Sequence, residues 1–329
     1  MNKIDLVYMW VDGNDKNWKK EKNYWLQKIK QEVIVCKDSV VDARWRDNDE
    51  LKFALRSAEK YAPWINHIFI VTGFNQVPKW LNTKHPKITV VPQEQIMPAD
   101  SLPTFNSVAI EMCLMNIPNL SEHFLLSNDD MFFNKPVSPD FFYDKKGRAI
   151  VWYTQNKKIA DAGYGMEFVE SDYRKTILIA AHKIKHIFNK QFYTKAPAHN
   201  IDPYIKSSMK QCKNHPMLAR LFDIQIRNKF RTNWEMQRWI FNLYDVVHNR
   251  ARLKRARHFK HPKHFLYNLI HYRECKNAPI YCENAQVAMQ HINPPLFCIN
   301  DTANTTDEVR QSNWNFLNKK FPEKSEFEL

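Results

Sequence analysis

Phe124–Asn134 reads FLLSNDDMFFN, and this stretch decides the fold. An apolar run of the kind that forms a buried strand ends in Asn128-Asp129-Asp130, and an aromatic pair follows it. In open α/β sheets, ligands bind at the carboxyl ends of the strands. Mg²⁺ prefers oxygen ligands and commonly takes one or two carboxylates together with substrate phosphates. The stretch therefore predicts a metal–phosphate site at a strand end, with an ordinary Asn-Asp turn as the alternative.

The segments around this stretch alternate between strand-like and helix-like patterns. Short apolar runs predict three further strands, at Ile4–Val11, Ile65–Thr72 and Ile88–Val91. Apolar residues at helical spacing predict helices at residues 15–33, 47–61 and 106–117. Alternating strands and helices over residues 1–150 indicate βαβ units and a parallel sheet.

The pattern changes in the second half of the chain. Residues 166–247 are predicted to be mainly helical, and residues 307–320 to form a last helix. We therefore predict an α/β fold with a mostly parallel sheet and a helical insertion. The expected units are a core, a mainly helical insertion with a basic segment, and a C-terminal segment that returns to the core: residues 1–160, 161–275 and 276–329.

The charge of the chain is strongly positive and unevenly placed. Lys and Arg number 49 against 35 Asp and Glu, a formal net charge of +14. Such a field attracts anionic polymers, lipids or substrates without identifying which. Residues 246–273 contain no acid and eight basic residues: Arg250, Arg252, Lys254, Arg255, Arg257, Lys260, Lys263 and Arg273. This block predicts a solvated surface, an anionic-lipid contact or a groove for a charged polymer.

Scarce glycine and irregular cysteine spacing exclude several classes of site. With 5 Gly, the chain contains neither a GxGxxG fingerprint nor a Walker A loop, so side chains and metal must hold any bound phosphate. The 6 Cys form no CxxC motif, and no apolar run is long enough for a transmembrane helix. Asp5 and Asp12 interrupt the opening apolar stretch, which predicts a strand rather than a signal peptide. We expect a cytoplasmic protein that can touch the inner face of the cell membrane peripherally.

Charged residues crowd the start of the predicted helix at residues 47–61. Asp47 and Glu50 resemble a capping box. Capping does not explain Arg44 and Arg46, because cations at a helix N-terminus oppose its dipole. We therefore expect a phosphate or carboxylate partner for the two arginines.

Other candidates each have a structural alternative. Thr104, Asn106 or Ser107 can serve as the N-cap of a predicted helix, and the same helix N-terminus is equally an anion site. His199 lies between Pro197 and Pro203, and a lone histidine is usually structural. Taken alone, Arg231 in the sequence FRTN is an ordinary surface arginine.

A second apolar run also ends in a carboxylate. Cys298-Ile299-Asn300-Asp301 repeats the pattern of a strand that runs into Asn-Asp. Two such endings either supply ligands to one metal or form two ordinary turns.

Four blocks of the chain, in order, resemble the Stealth family. This family includes bacterial capsule-polymer hexose-1-phosphate transferases and the catalytic subunit of the lysosomal-enzyme N-acetylglucosamine-1-phosphotransferase. The third block holds His199 and Phe230-Arg231, with Glu235 where relatives more often carry Asp. The other three blocks are IDLVYMWVDGND (4–15), the series from RWRDNDELKFALRSAEKYAPWINHIFIVTGFNQVPKWLN through LPTFNSVAIE to FLLSNDDMFFN, and FCINDTANTTDEVRQSNWNFLNKKFPEKSEFE.

The resemblance implies an activity and a cofactor. Such enzymes transfer a sugar 1-phosphate from a UDP-sugar to a glycan hydroxyl and release UMP, using Mg²⁺ or Mn²⁺ on a nucleotide-sugar-transferase-like α/β fold. On this basis His199 is expected to be the general base, Arg231 to neutralise the transferred phosphoryl group, and Asp130 to hold the metal. The remaining expected contacts are to the metal from Asp129 and Asp301, and to the donor from Trp10, Asp12, Gly13, Arg44, Arg46, Asp49, Asn106 and Ser107.

Two other functions remain open at this point. A metal-dependent glycosyltransferase would use the same acidic strand end but release UDP. A non-enzymatic polyanion- or membrane-binding protein would rely on the basic segment at 246–273 and show salt-sensitive binding without turnover. The expected partners are a UDP-sugar donor, a glycan acceptor that is anionic, and peripherally a membrane, whereas nucleic acid is not expected.

Overall fold

The computed structural model describes residues 3–29, 41–155, 172–256, 279–289 and 293–329. In this part of the chain the centre of the fold is a five-stranded sheet, in which four strands run parallel and the last runs antiparallel. Its strands, in the order β3-β2-β1-β4-β8, are β1 (Ile4–Met9), β2 (Ile68–Thr72), β3 (Ile88–Pro92), β4 (His123–Asn128) and β8 (Asp202–Ile205).

The parallel strands predicted from the apolar runs are confirmed. β1 lies between β2 and β4, with Leu6 opposite Ile68 and Met9 opposite Asn128. All residues of β2 are buried, as expected for strands covered on both faces by other elements. Because β1 and β4 run parallel in this register, the residues after Met9 and after Asn128 leave the sheet at the same edge.

Helices cover this sheet and fill the second half of the chain. α2 buries Leu51, Ala54, Leu55 and Ala58, the residues whose spacing predicted it. The helix bounds are α1 (Lys16–Ile29), α2 (Glu50–Tyr61), α3 (Ser107–Glu111), α4 (Asp172–Phe188), α5 (Lys206–Lys213), α6 (Ala219–Gln225), α7 (Trp239–Val247), α8 (Ala285–Met289) and α9 (Asp307–Lys320).

The helix predicted at residues 106–117 is shorter than expected. After α3 the backbone N–H of Met112 closes the last turn on the carbonyls of Val108 and Ile110. A separate 3₁₀ turn then spans Leu114–Asn116. Such tightening is common at helix ends, where the i to i+4 ladder gives way to shorter hydrogen bonds. The predicted helix at 307–320 coincides with α9.

Two small sheets flank the central one. β5 (Met131–Phe133) pairs antiparallel with β11 (Leu296–Ile299), which also pairs with β10 (Ile280–Cys282). The second small sheet has the order β7-β6-β9, from β7 (Lys195–Pro197), β6 (Ala149–Gln155) and β9 (Ala251–Arg255). The pairing of β11 with β5 brings the C-terminal segment beside the acidic end of β4.

The mainly helical reading of residues 166–247 missed two strands, β7 and β8. β8 contributes an edge strand to the central sheet, with Tyr204 opposite Phe124. Pro203 lies within β8, where its missing N–H is tolerated because the strand forms the edge. An antiparallel edge on an otherwise parallel sheet is a common arrangement.

The basic segment at 246–273 is described only in its first part, up to residue 256. There, Arg250 donates to the Ser208 hydroxyl (2.8 Å), Arg252 pairs with Asp144 (3.1 Å), and the Lys254 ammonium lies over the Trp152 ring (4.4 Å). These basic side chains therefore have partners within the protein. Arg257, Lys260, Lys263 and Arg273 lie outside the described residues, as do the predicted boundaries near 160 and 275.

No helix in the described ranges combines the length and the apolar character needed to cross a bilayer. Cys113, Cys212, Cys282 and Cys298 are free thiols.

Candidate active site

The acidic strand end holds several buried or partly buried carboxyl groups. Burial raises the pKa of Asp130 to about 6, while a hydrogen bond from the Cys298 thiol and the charge of Arg238 lower it. Burial and the negative charges of Asp130, Glu50 and Asp47 raise the pKa of Asp129 well above its ordinary value. Carboxyl groups that disfavour each other's ionisation are stabilised by a cation placed among them. The site therefore has the electrostatics of a cation site.

His199 lies in the connection between β7 and β8 and is partly exposed. Burial, followed by the positive charges of Arg238, Arg231 and Arg44, lowers the pKa of His199 to about 4. The imidazole is therefore neutral near pH 7, the form that accepts a proton. The Tyr173 ring packs edge-on against it, with the ring centroids 6.4 Å apart.

His199 lies next to the acidic strand end. Ligand atoms of Asp130, His199 and Cys298 are all within 4.8 Å of one another, and this is the three-residue group of potential metal ligands found among the described residues. The β5–β11 pairing explains the place of Cys298, which lies opposite Met131. The backbone N–H of Ile299 also donates to the Asp130 carbonyl at 2.9 Å.

Asp301 makes a different set of contacts. Its carboxylate pairs with Arg46 at 2.9 Å and with Arg310 at 3.1 Å. The position of Arg46 at a helix start predicted a phosphate or carboxylate partner. Asp301, from the C-terminal segment, is that carboxylate. Asp301 as a metal ligand stays a prediction.

Arg231 and Ser107 are in direct contact, with the Arg231 guanidinium donating to the Ser107 hydroxyl. Asn106 is the N-cap of α3 and accepts a hydrogen bond from the Val108 N–H (3.0 Å), which confirms that capping role. Its amide also donates to Glu235 (2.8 Å), whose pKa burial raises to about 7. Asn106 is fully buried, so Ser107 and Arg231 carry the exposed part of this group.

A small aromatic core holds the arginine-bearing segments together. Trp18 of α1 contacts Trp45 and Phe105, with ring centroids 5.4 and 5.6 Å apart. Phe105 stacks on Phe230 at 5.1 Å. Trp45, Phe105 and Phe230 are each adjacent in the sequence to a candidate site residue. This core therefore fixes the segments that carry Arg44, Asn106 and Arg231 relative to one another.

The turn after β1 packs closely against the segment that carries Arg44 and Arg46. The Gly13 N–H donates to the Trp45 carbonyl at 3.0 Å, and a Cβ on Gly13 would lie 2.0 Å from that oxygen. Only glycine fits such a close backbone approach. Trp10 donates from its indole to Asp47 (3.1 Å), and the Asp12 N–H donates to Gln76 (2.9 Å).

The prediction that Asp47 and Glu50 form a capping box at the start of α2 is wrong. The helix begins at Glu50, and its N-cap Asp49 has a left-handed backbone (φ 67°) without a capping hydrogen bond. The Glu50 carboxylate instead accepts from the backbone and side chain of Asn48. Asp47 is turned toward Trp10 and the Asp49 N–H, while the Asp49 carboxylate contacts Lys52 (2.8 Å) and Trp314 (3.3 Å).

The sequence did not predict the part played by Arg238, whose charge acts on both His199 and Asp130. Its guanidinium contacts Glu111 at 2.8 Å, Asn128 at 3.4 Å and Asp202 at 3.6 Å. Burial would lower the pKa of Arg238, but the negative groups around it, Glu111 first, raise it on balance. The only sequence signal is one arginine directly before the apolar run WIFNLYDVV, which becomes the buried helix α7.

Carboxylates, a neutral imidazole and guanidinium groups therefore meet at the carboxyl edge of the parallel strands. Such groups can bind a metal–diphosphate ligand, because phosphoryl transfer depends on positioning and charge neutralisation. The region around Asp130, His199, Ser107 and Arg231 is called the strand-edge site below.

The sequence comparisons match one family model and several polysaccharide phosphotransferases. A family model described as Stealth protein CR2, conserved region 2, matches residues 44–151. The capsular polysaccharide phosphotransferase WcwK of Streptococcus pneumoniae is 29% identical, covering 100% of this chain and 99% of that protein. The capsular polysaccharide phosphotransferase cps1A of Actinobacillus pleuropneumoniae is 32% identical, covering 70% of this chain and 61% of that protein.

Higher identity is confined to part of the chain. The exopolysaccharide phosphotransferase cps2G of Lactiplantibacillus plantarum is 42% identical over 44% of this chain and 40% of its own length. Among solved structures, the galactosyltransferase LgtC in complex with donor and acceptor sugar analogs overlaps with a TM-score of 0.44 at 11% identity, covering 97% of this chain and 95% of that one. An overlap at this level carries no argument about function.

Proposed function

The chain belongs to the Stealth family, and on that premise we propose that it is a sugar-1-phosphate transferase. It transfers a hexose or N-acetylhexosamine 1-phosphate from a UDP-sugar to a glycan hydroxyl and releases UMP. The product is a phosphodiester in a capsule or surface polysaccharide. The names of the relatives, which are capsular and exopolysaccharide phosphotransferases, support this reaction class.

One observation carries the proposal. Asp130 and His199 have ligand atoms within 4.8 Å of each other, and the charge of Arg231 contributes to the low pKa of His199. Three distant chain segments thus bring a carboxylate, a neutral base and a guanidinium to one place. A phosphoryl transfer needs a metal-holding acid, a base for the attacking hydroxyl, and a cation for the transferred group.

His199 is the proposed general base, taking the proton from the acceptor hydroxyl onto a ring nitrogen. Its pKa of about 4 keeps it neutral at physiological pH. Because nearby arginines contribute to that low pKa, a bound anionic donor that offsets their charge raises the basicity of the imidazole. Substrate binding therefore activates the base in this proposal.

Arg231 and Ser107 are proposed to contact the transferred phosphoryl group. The guanidinium is held by the Ser107 hydroxyl, so it is oriented before the donor binds. A guanidinium fork matches phosphate oxygens in a bidentate geometry. Arg44 contributes positive charge nearby, since it also lowers the pKa of His199.

The remaining donor contacts are proposed from the turn after β1. Trp10, Asp12 and Gly13 would contact the uridine or ribose, and the lock between Gly13 and Trp45 places this turn beside Arg44. Arg46 and Asp49 are tied to Asp301 and Trp314, so they support this edge through the C-terminal segment.

Mg²⁺ or Mn²⁺ is the proposed cofactor. Oδ1 of Asp130 is buried and, within the described residues, has no hydrogen-bond partner, which fits an oxygen ligand that awaits a cation. Asp129 and Asp130 would hold the ion, and Asp301 would join them only by leaving Arg46 and Arg310. When bound, the ion would neutralise charge on the donor pyrophosphate.

The acceptor is proposed to be an anionic glycan, held near the site by the basic segment at 246–273. The charge block supports this role, as it supports a peripheral contact with the inner face of the cell membrane. Because Arg250, Arg252 and Lys254 have partners within the protein, this contact falls mainly to Arg255 and the basic residues that follow it.

Nucleotide release from a panel of UDP-sugars, with Mg²⁺ and oligosaccharide acceptors, tests the function. UMP release with the donor β-phosphate recovered in the glycan is the expected result. UDP release would contradict the proposal and identify a metal-dependent glycosyltransferase. Salt-sensitive polyanion binding without release of either nucleotide would point to the non-enzymatic alternative.

A further inference from the structure

The thiol of Cys298 has no role in the proposed transfer, yet it lies among the groups that perform it. Its Sγ, a carboxylate oxygen of Asp130 and a ring nitrogen of His199 are all within 4.8 Å of one another. Sulfur, nitrogen and oxygen ligands from three residues, with a fourth position open, form the ligand set of many tetrahedral Zn²⁺ sites.

The three side chains come from three separate segments of the chain, each next to or within a strand. Cys298 is fully buried in β11, which pairs with β5 on one side and β10 on the other. The Ile299 N–H bonds to the Asp130 carbonyl at 2.9 Å, so the thiol and the carboxylate belong to one hydrogen-bonded unit. His199 lies between Pro197 of β7 and Pro203 of β8, both in strands.

A second observation points to a ligand at the same place. Oδ1 of Asp130 is buried without a hydrogen-bond partner in the described part of the chain. Such an atom normally costs free energy unless a donor or a cation satisfies it. Oδ1 of Asp130 therefore offers an oxygen ligand at the place where the Cys298 sulfur and the His199 ring also lie.

We propose that Asp130, His199 and Cys298 form a binding site for one thiophilic divalent ion, of the class of Zn²⁺, Co²⁺ and Cd²⁺. When the ion binds, a metal–sulfur bond forms and the thiol proton passes to solvent, while the imidazole donates a lone pair and the carboxylate one oxygen. A water completes the tetrahedron. No electron transfer is involved, and the +2 charge of the ion is balanced by the thiolate and the carboxylate.

The site distinguishes these ions from Mg²⁺. Mg²⁺ demands octahedral oxygen ligands, whereas thiolate and imidazole favour Zn²⁺ and its neighbours in the transition series. A hard cation therefore uses the carboxylates alone, and a thiophilic one recruits Cys298 and His199 as well. If the proposed function holds, an ion at this site inhibits transfer, because it occupies the general base and the metal-holding acid together.

Titration of the full chain with Co²⁺ in the absence of other metals tests the site without any assay of activity. Wild-type protein is expected to show a thiolate-to-Co²⁺ charge-transfer band with intense tetrahedral ligand-field bands, and Zn²⁺ is expected to abolish both. Cys298→Ser is expected to lose the charge-transfer band. Cys282→Ser, which changes a free thiol on the neighbouring strand, is the matched control and is expected to keep it.

His199→Ala provides an independent variant. Because His199 is partly exposed, its replacement does not disturb a fully buried position as a change of Cys298 does. It is expected to weaken Co²⁺ binding at least about tenfold, the effect of losing supporting contacts alone in metal sites. A charge-transfer band that survives in Cys298→Ser, or is absent from folded wild-type protein, would overturn the site. A Co²⁺ spectrum as expected, with no inhibition of a demonstrated transferase by Zn²⁺, would overturn the inhibition and leave the site standing.

Discussion

Arg238 and Glu111 lie 127 positions apart in the sequence and form a 2.8 Å ion pair with both side chains only 6% exposed. The pair joins the start of α7 to α3, and Asn128 and Asp202 extend it to β4 and β8. A buried charge network therefore joins α3, α7, β4 and β8 next to the strand-edge site. Arg238 is a positioning residue, because it contacts the elements that carry the site.

Replacing Arg238 by Met is expected to destabilise the protein by about 3–5 kcal/mol, since Glu111 and Asp202 would remain buried without their cation. Urea unfolding measures the change in free energy. Arg227→Met is the matched control: Arg227 pairs with Asp100 at the same 2.8 Å, but both side chains are largely exposed, so little change is expected. Equal effects of the two substitutions would contradict this account of the network.

Gly13→Ala is expected to destabilise the protein by about 1–3 kcal/mol, because the new Cβ would overlap the Trp45 carbonyl, 2.0 Å away. The turn after β1 would move away from the segment that carries Arg44, so donor affinity would also fall. Thermal unfolding and donor affinity measure the two effects. Gly73→Ala is the control, because its Cβ would meet the end of the Gln93 side chain at 2.9 Å, which can shift. A Gly13→Ala protein with unchanged stability would contradict the close approach.

The parts of the fold that the sequence predicted are those with local signals. β1, β2, β3 and β4 follow from continuous apolar runs, because strands of a sheet covered on both faces need no polar alternation. β8 was missed because Pro203 interrupts its pattern, and only its place at the sheet edge makes the proline acceptable.

The site was less accessible to prediction than the fold. Asp129 and Asp130 stand out because they end a strand, but the approach of Cys298 depends on the pairing of β11 with β5, which no local pattern specifies. Arg238 could not be assigned from sequence because its environment is set by Glu111 and Asp202, two acids on other elements. Long-range pairing decides both cases.

His199→Ala is expected to reduce turnover by roughly 10²–10⁴ if the imidazole is the general base. Donor binding should change little, since the base acts on the acceptor hydroxyl. Steady-state kinetics that separate kcat from the donor KM provide the measurement. His186→Ala, which changes an exposed histidine of α4, is the control. Near-wild-type turnover in His199→Ala would remove the residue from the chemical step.

Asp130→Asn is expected to abolish metal-dependent transfer, because an amide oxygen cannot supply the negative charge that holds a hard cation. Activity measured against Mg²⁺ and Mn²⁺ concentration tests this. Asp140→Asn changes an exposed aspartate and is the control, which should behave as wild type. Full wild-type activity in excess chelator would contradict the role of a metal altogether.

Asp245 provides a pH-dependent test of stability away from the strand-edge site. Burial raises its pKa to about 7 from 3.8, while hydrogen bonding from Ser208 and the charge of Arg250 oppose the shift. The folded carboxyl binds its proton more tightly than the unfolded one. Its contribution therefore favours folding at low pH and is lost progressively as the pH rises from about 4 to about 7.

Asp245→Asn is expected to remove this part of the pH dependence, because the amide oxygen still accepts from the Ser208 hydroxyl and cannot ionise. Relative to wild type, the variant should gain stability as the pH is raised from about 5 to about 8, at up to ~1.4 kcal/mol for each unit of pKa shift. Urea unfolding of both proteins at the two pH values isolates Asp245 from Asp202, Glu50 and Glu235, whose pKa values burial also raises to about 7. Parallel pH profiles for the two proteins would mean that Asp245 ionises in the folded state as readily as in the unfolded chain.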